Sequence, residues 1–450
     1  TIQNNNVGWR GAGIASYGKI EMTNGTISGN YARNNWGDGG AIYLCGKKND
    51  PGEDYTASNA SYCTIFDGNF TKNKSDGAGG AVCADGYSIL YVKGGTFENN
   101  AAATTGGGIN VYSSCLRMSD GKISGNTAVS TNGSTGFGGG LNLTAGSVAD
   151  ITGGTIENKK SNSGGGIYAN GKSSFTASNL KITGNTAATN GGGICIPGTK
   201  DYEYNVSLEN VLIQGNKSES GCGAGIYAAR AWKEETSTGV LTLKNCQIIE
   251  NYGTVAGGGI YLDKGVTATM DGGEISGNHV INPTSQTNGG GIAVGGTFTL
   301  NSGKISDTIK DGSWNGGAAA SVSGTFTMNG GEVSGNIDTC TAENAENRTI
   351  GGGAFYVLGG TLNINGGTIT NNTSHRGGAI AFHYGPYERG TVHITGGKIV
   401  GNYVTGGEGG AINMTSARKK ENSVYDQTVT ISGSPVIANN KKGAEVNVND

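Results

Sequence analysis

The sequence predicts an all-β fold, a right-handed parallel β-helix with three faces and about fifteen coils. Three observations lead to this prediction. One Gly-rich unit recurs at intervals of 25 to 43 residues, and self-similarity at such a period indicates stacked repeats. Each copy holds three short segments with the period-two alternation of strands. No segment shows the 3.6-residue periodicity of an amphipathic helix.

The three segments of each copy differ in residue pattern. The first is an alternating run, such as the TFTL of residues 297–300. The second has the pattern G-x-I-x-x-N, as in residues 273–278, and the third reads GGGI or GGAI, as in residues 257–260. Each segment is rich in β-formers and is bounded by Gly or Asn, which are turn residues. Three strands joined by three corners make one coil of a three-faced solenoid.

Apolar residues keep a fixed spacing in every copy. The apolar residue of the second segment, such as Ile275, has another apolar residue five positions before it, such as Met270. Side chains at alternate positions of a strand point to the same face. Copies stacked at the strand spacing of about 4.8 Å would therefore align these side chains into continuous ladders in the core.

Asparagine marks one corner of the predicted coil. It stands three residues after the apolar reference in thirteen of fifteen copies, and Lys159 and Thr308 occupy the other two positions. Asn tolerates the left-handed conformation and hydrogen-bonds to turn backbone, and stacked Asn amides bond to one another. We therefore expect a structural Asn ladder. Its predicted members are Asn5, Asn30, Asn73, Asn100, Asn126, Asn185, Asn216, Asn251, Asn278, Asn336, Asn372, Asn402 and Asn439.

Composition excludes several classes of protein. Gly accounts for 86 of 450 residues but Pro for only 5, with no G-X-Y period, so the chain is not collagen-like. With a formal net charge of −3, the chain lacks the excess of positive charge that is typical of proteins that bind nucleic acid. No apolar run is long enough for direct insertion of this region into a membrane. Because the chain starts and stops inside repeats, we expect a single domain, residues 1–450, excised from a longer protein.

Eight cysteines are scattered through the repeats without the CxxC or Cys/His spacing of a zinc site. Cys45 and Cys63 bracket an insertion. They could form a disulfide, or they could be small thiols buried in the repeat. Spacing alone does not separate these alternatives, and we expect no metal and no cofactor.

Paired GGA[I/L/V] and FxxN motifs carry a resemblance to known proteins. The motifs include residues 39–42 (GGAI), 79–82 (GGAV), 70–73 (FTKN) and 97–100 (FENN). In these motifs the chain resembles the polymorphic outer-membrane-protein repeats and related adhesin-like proteins, although most copies have Ile for Phe and GGGI for GGAI. The resemblance implies a right-handed β-helical stalk, exposed at the cell surface, that acts in adhesion.

The same fold class includes pectate lyases and other polysaccharide-cleaving enzymes, which need converging carboxylates. The outward row just after each GGGI contains no acid, and two positions further on the only acids are Asp85 and Asp263, six coils apart. A catalytic pair on the strands is therefore disfavoured, although an insertion loop could supply one. His375, His383 and His393 fall in one short region, where we favour a solvated polar patch over a site.

Tyrosines in the outward row form the best candidate binding surface. Tyr227 and Tyr261 lie on adjacent coils and could offer a flat aromatic platform for a sugar. Alternatively, their stacking only stabilises the sheet. The adjacent insertion at residues 228–239 contributes Arg230 and Trp232, an exposed contact anchor of the kind found in binding loops.

Three hypotheses for function remain open. The leading hypothesis is a non-catalytic extracellular or cell-surface adhesin whose loops bind host or matrix glycans or proteins. The alternatives are a polysaccharide lyase or glycoside hydrolase, and a structural stalk or fibre whose ends associate with further copies.

Overall fold

The structure is a computed structural model. It describes residues 1–34, 36–46, 61–130, 136–170, 172–200, 203–230, 238–281, 289–312, 316–340, 351–383, 390–414 and 427–442. Within these ranges every regular element is a β-strand, and the strands pair in parallel to form three sheets. No helix in the described ranges is long and apolar enough to cross a membrane. The prediction of an all-β parallel solenoid with three faces is confirmed.

The chain divides into two compact units. The first comprises residues 1–219 and 230–240, and the second comprises residues 220–229 and 241–450. Both are built in the same way, with the chain visiting the first, second and third sheet in turn. The alternating run and the G-x-I piece both lie in the first sheet, the residues after the corner Asn form the second, and the GGGI piece leads into the third, so the expectation of one segment for each face was wrong.

In the first unit the alternating and G-x-I segments form the first sheet. Its strands are Ile2–Gln3, Lys19–Met22, Thr26–Ser28, Ser61–Ile65, Asn69–Thr71, Ser88–Val92, Thr96–Glu98, Cys115–Met118, Lys122–Ser124, Val148–Ile151, Thr155–Glu157, Ser174–Ser178, Lys181–Thr183, Tyr204–Glu209 and Leu212–Gln214. The second sheet contains Asn6–Val7, Tyr31–Ala32, Lys74–Ser75, Ala101–Ala102, Thr127–Ala128, Lys160–Ser161, Thr186–Ala187 and Lys217–Ser218. The third contains Ile14–Ser16, Ile42–Cys45, Val82–Asp85, Ile109–Tyr112, Leu141–Thr144, Ile167–Ala169 and Ile194–Ile196.

The second unit repeats this arrangement. Its first sheet contains Gly239–Ile249 (all but the first two residues), Val266–Ser276, Thr297–Ser306, Thr325–Met328, Glu332–Ser334, Thr361–Ile364, Thr368–Thr370, Thr391–Ile394, Lys398–Val400, Thr428–Ile431 and Val436–Ala438. The second sheet contains Tyr252–Gly253, His279–Ile281, Ile309–Asp311, Ile337–Asp338, Thr373–Ser374, Tyr403–Val404 and Lys441–Lys442. The third contains Ile226–Ala228, Ile260–Leu262, Ile292–Val294, Ala320–Val322, Phe355–Val357, Ile380–Phe382 and Ile412–Asn413.

The predicted number of coils was too high. Among the described residues, seven turns of the first unit and six of the second have strands in all three sheets. The sequence count of fifteen included every copy of the motif. The last copy, for example, places described strands in the first and second sheets only.

The core consists of the predicted apolar ladders. Phe70 and Phe97 are register partners, and their rings stack at 4.7 Å with an interplanar angle of 7°. Val92 pairs with Met118 in the same way, five residues before the next reference position. These side chains are at most 1 % exposed. At about 25 cal/mol per Å² of apolar surface, such burial is the main stabilising contribution.

The Asn ladder is also confirmed, and Asn100 illustrates its geometry. Its backbone N–H and its Nδ2 donate to Asn126 Oδ1 at 2.8 and 3.0 Å, and Nδ2 also donates to the carbonyl of Phe70 at 2.8 Å. Asn73 makes the same two bonds to Asn100 Oδ1. Because the side chains are buried, this complete pairing avoids the cost of unsatisfied polar groups.

One predicted member of the ladder was wrong. Asn402 bonds to Asn440 rather than to Asn439, with Nδ2 and Oδ1 2.8 Å apart. The register pairs Ile399 with Ile437, so the apolar reference of the last copy is Ile437 and not Val436. Asn439 adopts φ = 56°, as do the residues that precede the ladder in other copies.

The two exceptions in the ladder differ from one another. Thr308 takes the place of Asn, since its hydroxyl donates to Asn336 Oδ1 at 2.7 Å. Lys159 keeps only the backbone bond, from its N–H to Asn185 Oδ1 at 3.1 Å, and its buried Nζ donates to the carbonyl of Glu157 at 2.7 Å. Burial lowers the pKa of Lys159 to about 6.

Candidate functional site

The outward row of the third sheet, where the sequence predicted a binding surface, is mostly covered. Tyr43, Asn142 and Tyr356 are 0 % exposed, and Tyr168 is 7 % exposed. The corner that precedes each third-sheet strand folds over this row. For example, Thr105 Oγ1 donates to Asn110 Oδ1 at 2.9 Å. The strands of the third sheet are therefore mostly buried on both faces. In the first sheet, by contrast, buried and partly exposed residues alternate along each strand.

Tyr227 and Tyr261 are stacked, as the sequence suggested. They are register partners on adjacent strands of the second unit, with ring centroids 5.2 Å apart and an interplanar angle of 6°. Both side chains are half-buried. Burial raises the pKa of Tyr261 to about 12, so its phenol stays protonated at neutral pH. Because the rings are stacked, each covers one face of the other, and a ligand could contact the pair along the ring edges.

The structure does not test the other two predicted contact residues as parts of this site. Arg230 is half-buried and belongs to the first compact unit, whereas Tyr227 and Tyr261 belong to the second. Trp232 lies outside the described residues. A combined site of Trp232, Arg230 and the tyrosine pair therefore stays a prediction.

A polar cluster that the sequence did not reveal lies on the third sheet of the first unit. Arg10 Nη1 donates to Tyr43 Oη at 2.7 Å, and the Tyr43 hydroxyl donates to Asp85 Oδ2 at 2.7 Å. Asp38 Oδ2 lies 3.6 Å from Arg10 Nε. Burial, reinforced by Asp85, raises the pKa of Tyr43 well above its usual value. A phenol held protonated in this way holds neighbouring strands together and is poorly suited to acid–base work.

The three clustered histidines separate onto three sheets. His375 follows a strand of the second sheet, His383 follows a strand of the third, and His393 lies within a strand of the first. His383 Nδ1 lies 2.6 Å from the hydroxyl of the buried Tyr356. Burial and the neighbouring Arg376 lower the pKa of His375. The three imidazoles do not form one site.

Cysteines and acids show no metal centre in the described ranges. All eight cysteines are free thiols. Cys63 is buried on the first sheet, where burial raises its pKa to about 12, and Cys45 lies on the third. The scattered-thiol alternative therefore describes this pair. Among the described residues no group of three His, Cys, Asp or Glu side chains could hold a metal ion.

Sequence reasoning missed a regular polar face on the first sheet of the second unit. Two rows of partly or fully exposed side chains run across register-paired strands, and the T-x-T alternation is the signal that could have revealed them. The first row consists of Thr267, Thr297, Thr325, Thr361, Thr391 and Thr428. The second consists of Thr269, Thr299, Thr327, Asn363, His393 and Thr430. The first unit has Lys19, Tyr62 and Ile89 in the first of these rows, so strand propensity alone does not require Thr.

Two protein families match parts of the chain. The family described as right handed beta helix region matches residues 134–303. The Chlamydia polymorphic membrane protein repeat matches residues 65–85, which contain the FTKN and GGAV motifs. No curated protein and no solved structure matches the chain. The chain is therefore similar to both families over these segments, and its three parallel sheets and Asn ladder agree with a parallel β-helix.

Proposed function

We propose that this chain is a non-catalytic, surface-exposed part of an adhesin-like protein. The match of residues 65–85 to the polymorphic membrane protein repeat carries the proposal, because that family is described as one of membrane proteins. The interior supports it: the repeated residues serve the core and the corner ladder. In a rigid scaffold of this kind, binding residues concentrate on the non-repeating surface.

Exposure at the cell surface can be tested directly. Intact producing cells would be treated with a protease that cannot enter them, and peptides from this chain would be measured in the supernatant. We expect release of peptides from this region while cytoplasmic proteins stay intact. Release only after the cells are lysed would contradict the proposal.

We further propose that Tyr227 and Tyr261 bind a glycan. Tyrosine combines an apolar ring with a polar hydroxyl, which suits it to contacts with sugars, and a stacked pair with an interplanar angle of 6° is already ordered before a ligand binds. The Tyr261 phenol is neutral at physiological pH, because burial raises its pKa to about 12. Host or matrix glycans are the expected ligands.

A glycan array with the purified chain tests this ligand class. We expect binding to a defined set of glycans that the double variant Tyr227→Ala/Tyr261→Ala loses. Tyr112→Ala is the matched control, since Tyr112 is 50 % exposed on the third sheet but belongs to the other unit. Equal glycan binding by the double variant and the control would show that the tyrosine pair is not part of the binding site. A complete lack of glycan binding would overturn the ligand class but not the surface location.

Polysaccharide cleavage is the second candidate, and one contact favours it. The Tyr356 hydroxyl and His383 Nδ1 are 2.6 Å apart, and a phenol paired with an imidazole can transfer protons. Incubation with pectins, alginate and glycosaminoglycans would reveal unsaturated or reducing ends if this pair were catalytic. His383→Ala should then abolish their formation. We expect neither the wild-type chain nor the variant to cleave these polymers.

A further inference from the structure

The inward row of the second sheet holds a charged pair in the second unit. Lys310 and Asp338 are register partners on adjacent strands. The inward residue of the preceding strand, in register with Lys310, is Val280, and the strand after Asp338 has Ser374. In the first unit the described residues of the same row are uncharged, and examples are Ala102 and Ala128. The solenoid does not need a charge at this position, so the pair requires its own explanation.

The two side chains are in contact and shielded from water. Lys310 Nζ lies 2.9 Å from Asp338 Oδ1, and both side chains are 0 % exposed. Asp338 Oδ1 also accepts the backbone N–H of Cys340 at 3.1 Å. Asp338 Oδ2 is buried and has no hydrogen-bond partner among the described residues. One carboxylate oxygen is therefore fixed and the other is unsatisfied.

Burial works against the ionised form of Asp338. Taking an ammonium and a carboxylate out of water is costly, and their attraction offsets that cost only partly. Burial raises the pKa of Asp338 even though Lys310 opposes the shift. Transfer of one proton along the bond from Nζ to Oδ1 gives a neutral amine beside a neutral carboxylic acid. Those are the forms in which an amine can attack a carboxyl carbon.

We propose that Lys310 and Asp338 condense to form an intramolecular isopeptide bond between adjacent coils. Lys310 Nζ attacks Asp338 Cγ and forms the new C–N bond. One carboxyl oxygen leaves as water, carrying the acid proton and one proton from the amine. Nothing is oxidised or reduced, and no co-reactant is needed. The fold accelerates the reaction by holding the reacting groups in contact. The product is a neutral amide in place of a buried ion pair.

Lys159 provides a contrast within the same chain. It is also buried, at 2 % exposure, but its Nζ donates to the main-chain carbonyl of Glu157. A peptide carbonyl does not lose water to an amine, so Lys159 is expected to remain unmodified. The proposal therefore depends on the carboxyl group opposite Lys310 and not on burial of a lysine alone.

Mass spectrometry of the intact, purified chain tests the proposal without any mutation. We expect a mass lower than that of the sequence by one water molecule. After trypsin treatment we expect no cleavage at Lys310, and a branched peptide that joins the segments containing Lys310 and Asp338. The full sequence mass with normal cleavage after Lys310, persisting on prolonged incubation of the folded protein, would overturn the proposal.

Matched variants identify the bond. Asp338→Asn should yield the same amide by loss of ammonia, so its final mass should equal that of the wild-type chain. Lys310→Arg and Asp338→Ala should retain their full sequence masses. Loss of water in either of these two variants would place the reaction elsewhere and overturn the assignment. Lys159→Arg, the control for a buried lysine, should still lose one water.

Discussion

At the scale of single residues, the corner asparagines show how completely a buried polar group can be satisfied. Asn372 uses both hydrogens of its amide, since Nδ2 donates to Asn402 Oδ1 at 2.9 Å and to the carbonyl of Val333 at 2.9 Å. Its own Oδ1 accepts two bonds from Asn336. The sequence predicted this ladder because its spacing from the apolar reference is constant. It failed at Asn439, where two adjacent apolar residues and two adjacent asparagines left the register ambiguous.

Removal of one member of the ladder should be costly. We expect Asn100→Ala to lower the free energy of unfolding by about 1–3 kcal/mol for each buried partner left unsatisfied. Chemical denaturation measures the effect. Asn205→Ala is the matched control, because Asn205 is an exposed residue of the first sheet. Equal stability of the two variants would contradict a stabilising role for the ladder.

Lys159 should make stability depend on pH. Its pKa is about 6 in the folded chain because of burial, against about 10.4 for an unperturbed lysine. Between these values the unfolded state binds the extra proton, so stability should rise as the pH increases from 6 toward 10. We expect Lys159→Asn to complete the ladder between Asn126 and Asn185. This variant should therefore be more stable than wild type at neutral pH, by an amount that shrinks toward pH 10.

Thermal unfolding of Lys159→Asn and of Lys160→Asn at several pH values checks this prediction. Lys160 is the neighbouring exposed lysine, so its replacement should leave the pH profile of the wild type unchanged. Identical pH profiles for the two variants would show that Lys159 does not carry the effect.

At the scale of the strand and its corners, the third sheet differs most from the prediction. Alternation predicted that Tyr43 and Tyr356 would face solvent, yet both are 0 % exposed. The segment before each third-sheet strand contributes no apolar pattern, so its position over that strand could not be read from residue periodicity. Glycine was the only residue type in the sequence that indicated the position of this segment. The first Gly of each motif, such as Gly79 with φ = 68°, places the backbone against the outward residue.

The second Gly of each GGAI or GGGI motif is required because the backbone of neighbouring segments approaches it closely. A Cβ on Gly80 would lie 2.3 Å from the carbonyl oxygen of Gly107 and 2.6 Å from the nitrogen of Ala101. These atoms belong to stacked neighbouring segments and cannot move independently. We expect Gly80→Ala to cost about 1–3 kcal/mol or more, the usual range for overpacking. Gly18→Ala is the control, because a Cβ there would meet nothing within 4 Å. A denaturation midpoint equal to that of the control would contradict tight packing at this corner.

At the scale of the whole molecule, the repeat determines the architecture and says little about function. The core ladders and the corner ladder were predictable, because each rests on a spacing that recurs. The assignment of segments to sheets was not, because the alternating run and the G-x-I piece share the first sheet and the residues after the corner Asn form the second. Lys310–Asp338 and Arg10–Tyr43–Asp85 were not predictable, because each occurs once and joins residues that only the register brings together. The tyrosine pair is an intermediate case. The repeat predicted that Tyr227 and Tyr261 lie on adjacent strands, but it did not predict that the residues around them are buried.

Cross-linking of engineered cysteines on the exposed threonine rows tests parallel, in-register stacking most directly. Thr299 is the register partner of both Thr269 and Thr327. We expect Thr299→Cys/Thr327→Cys to form a disulfide on mild oxidation, because adjacent strands are about 4.8 Å apart. Thr269→Cys/Thr327→Cys should stay reduced, since two strand spacings exceed the reach of a disulfide of about 7 Å. Peptide mass mapping of the oxidised chains would show the linkage. Efficient cross-linking of the second pair, or none of the first, would contradict the stacked coils.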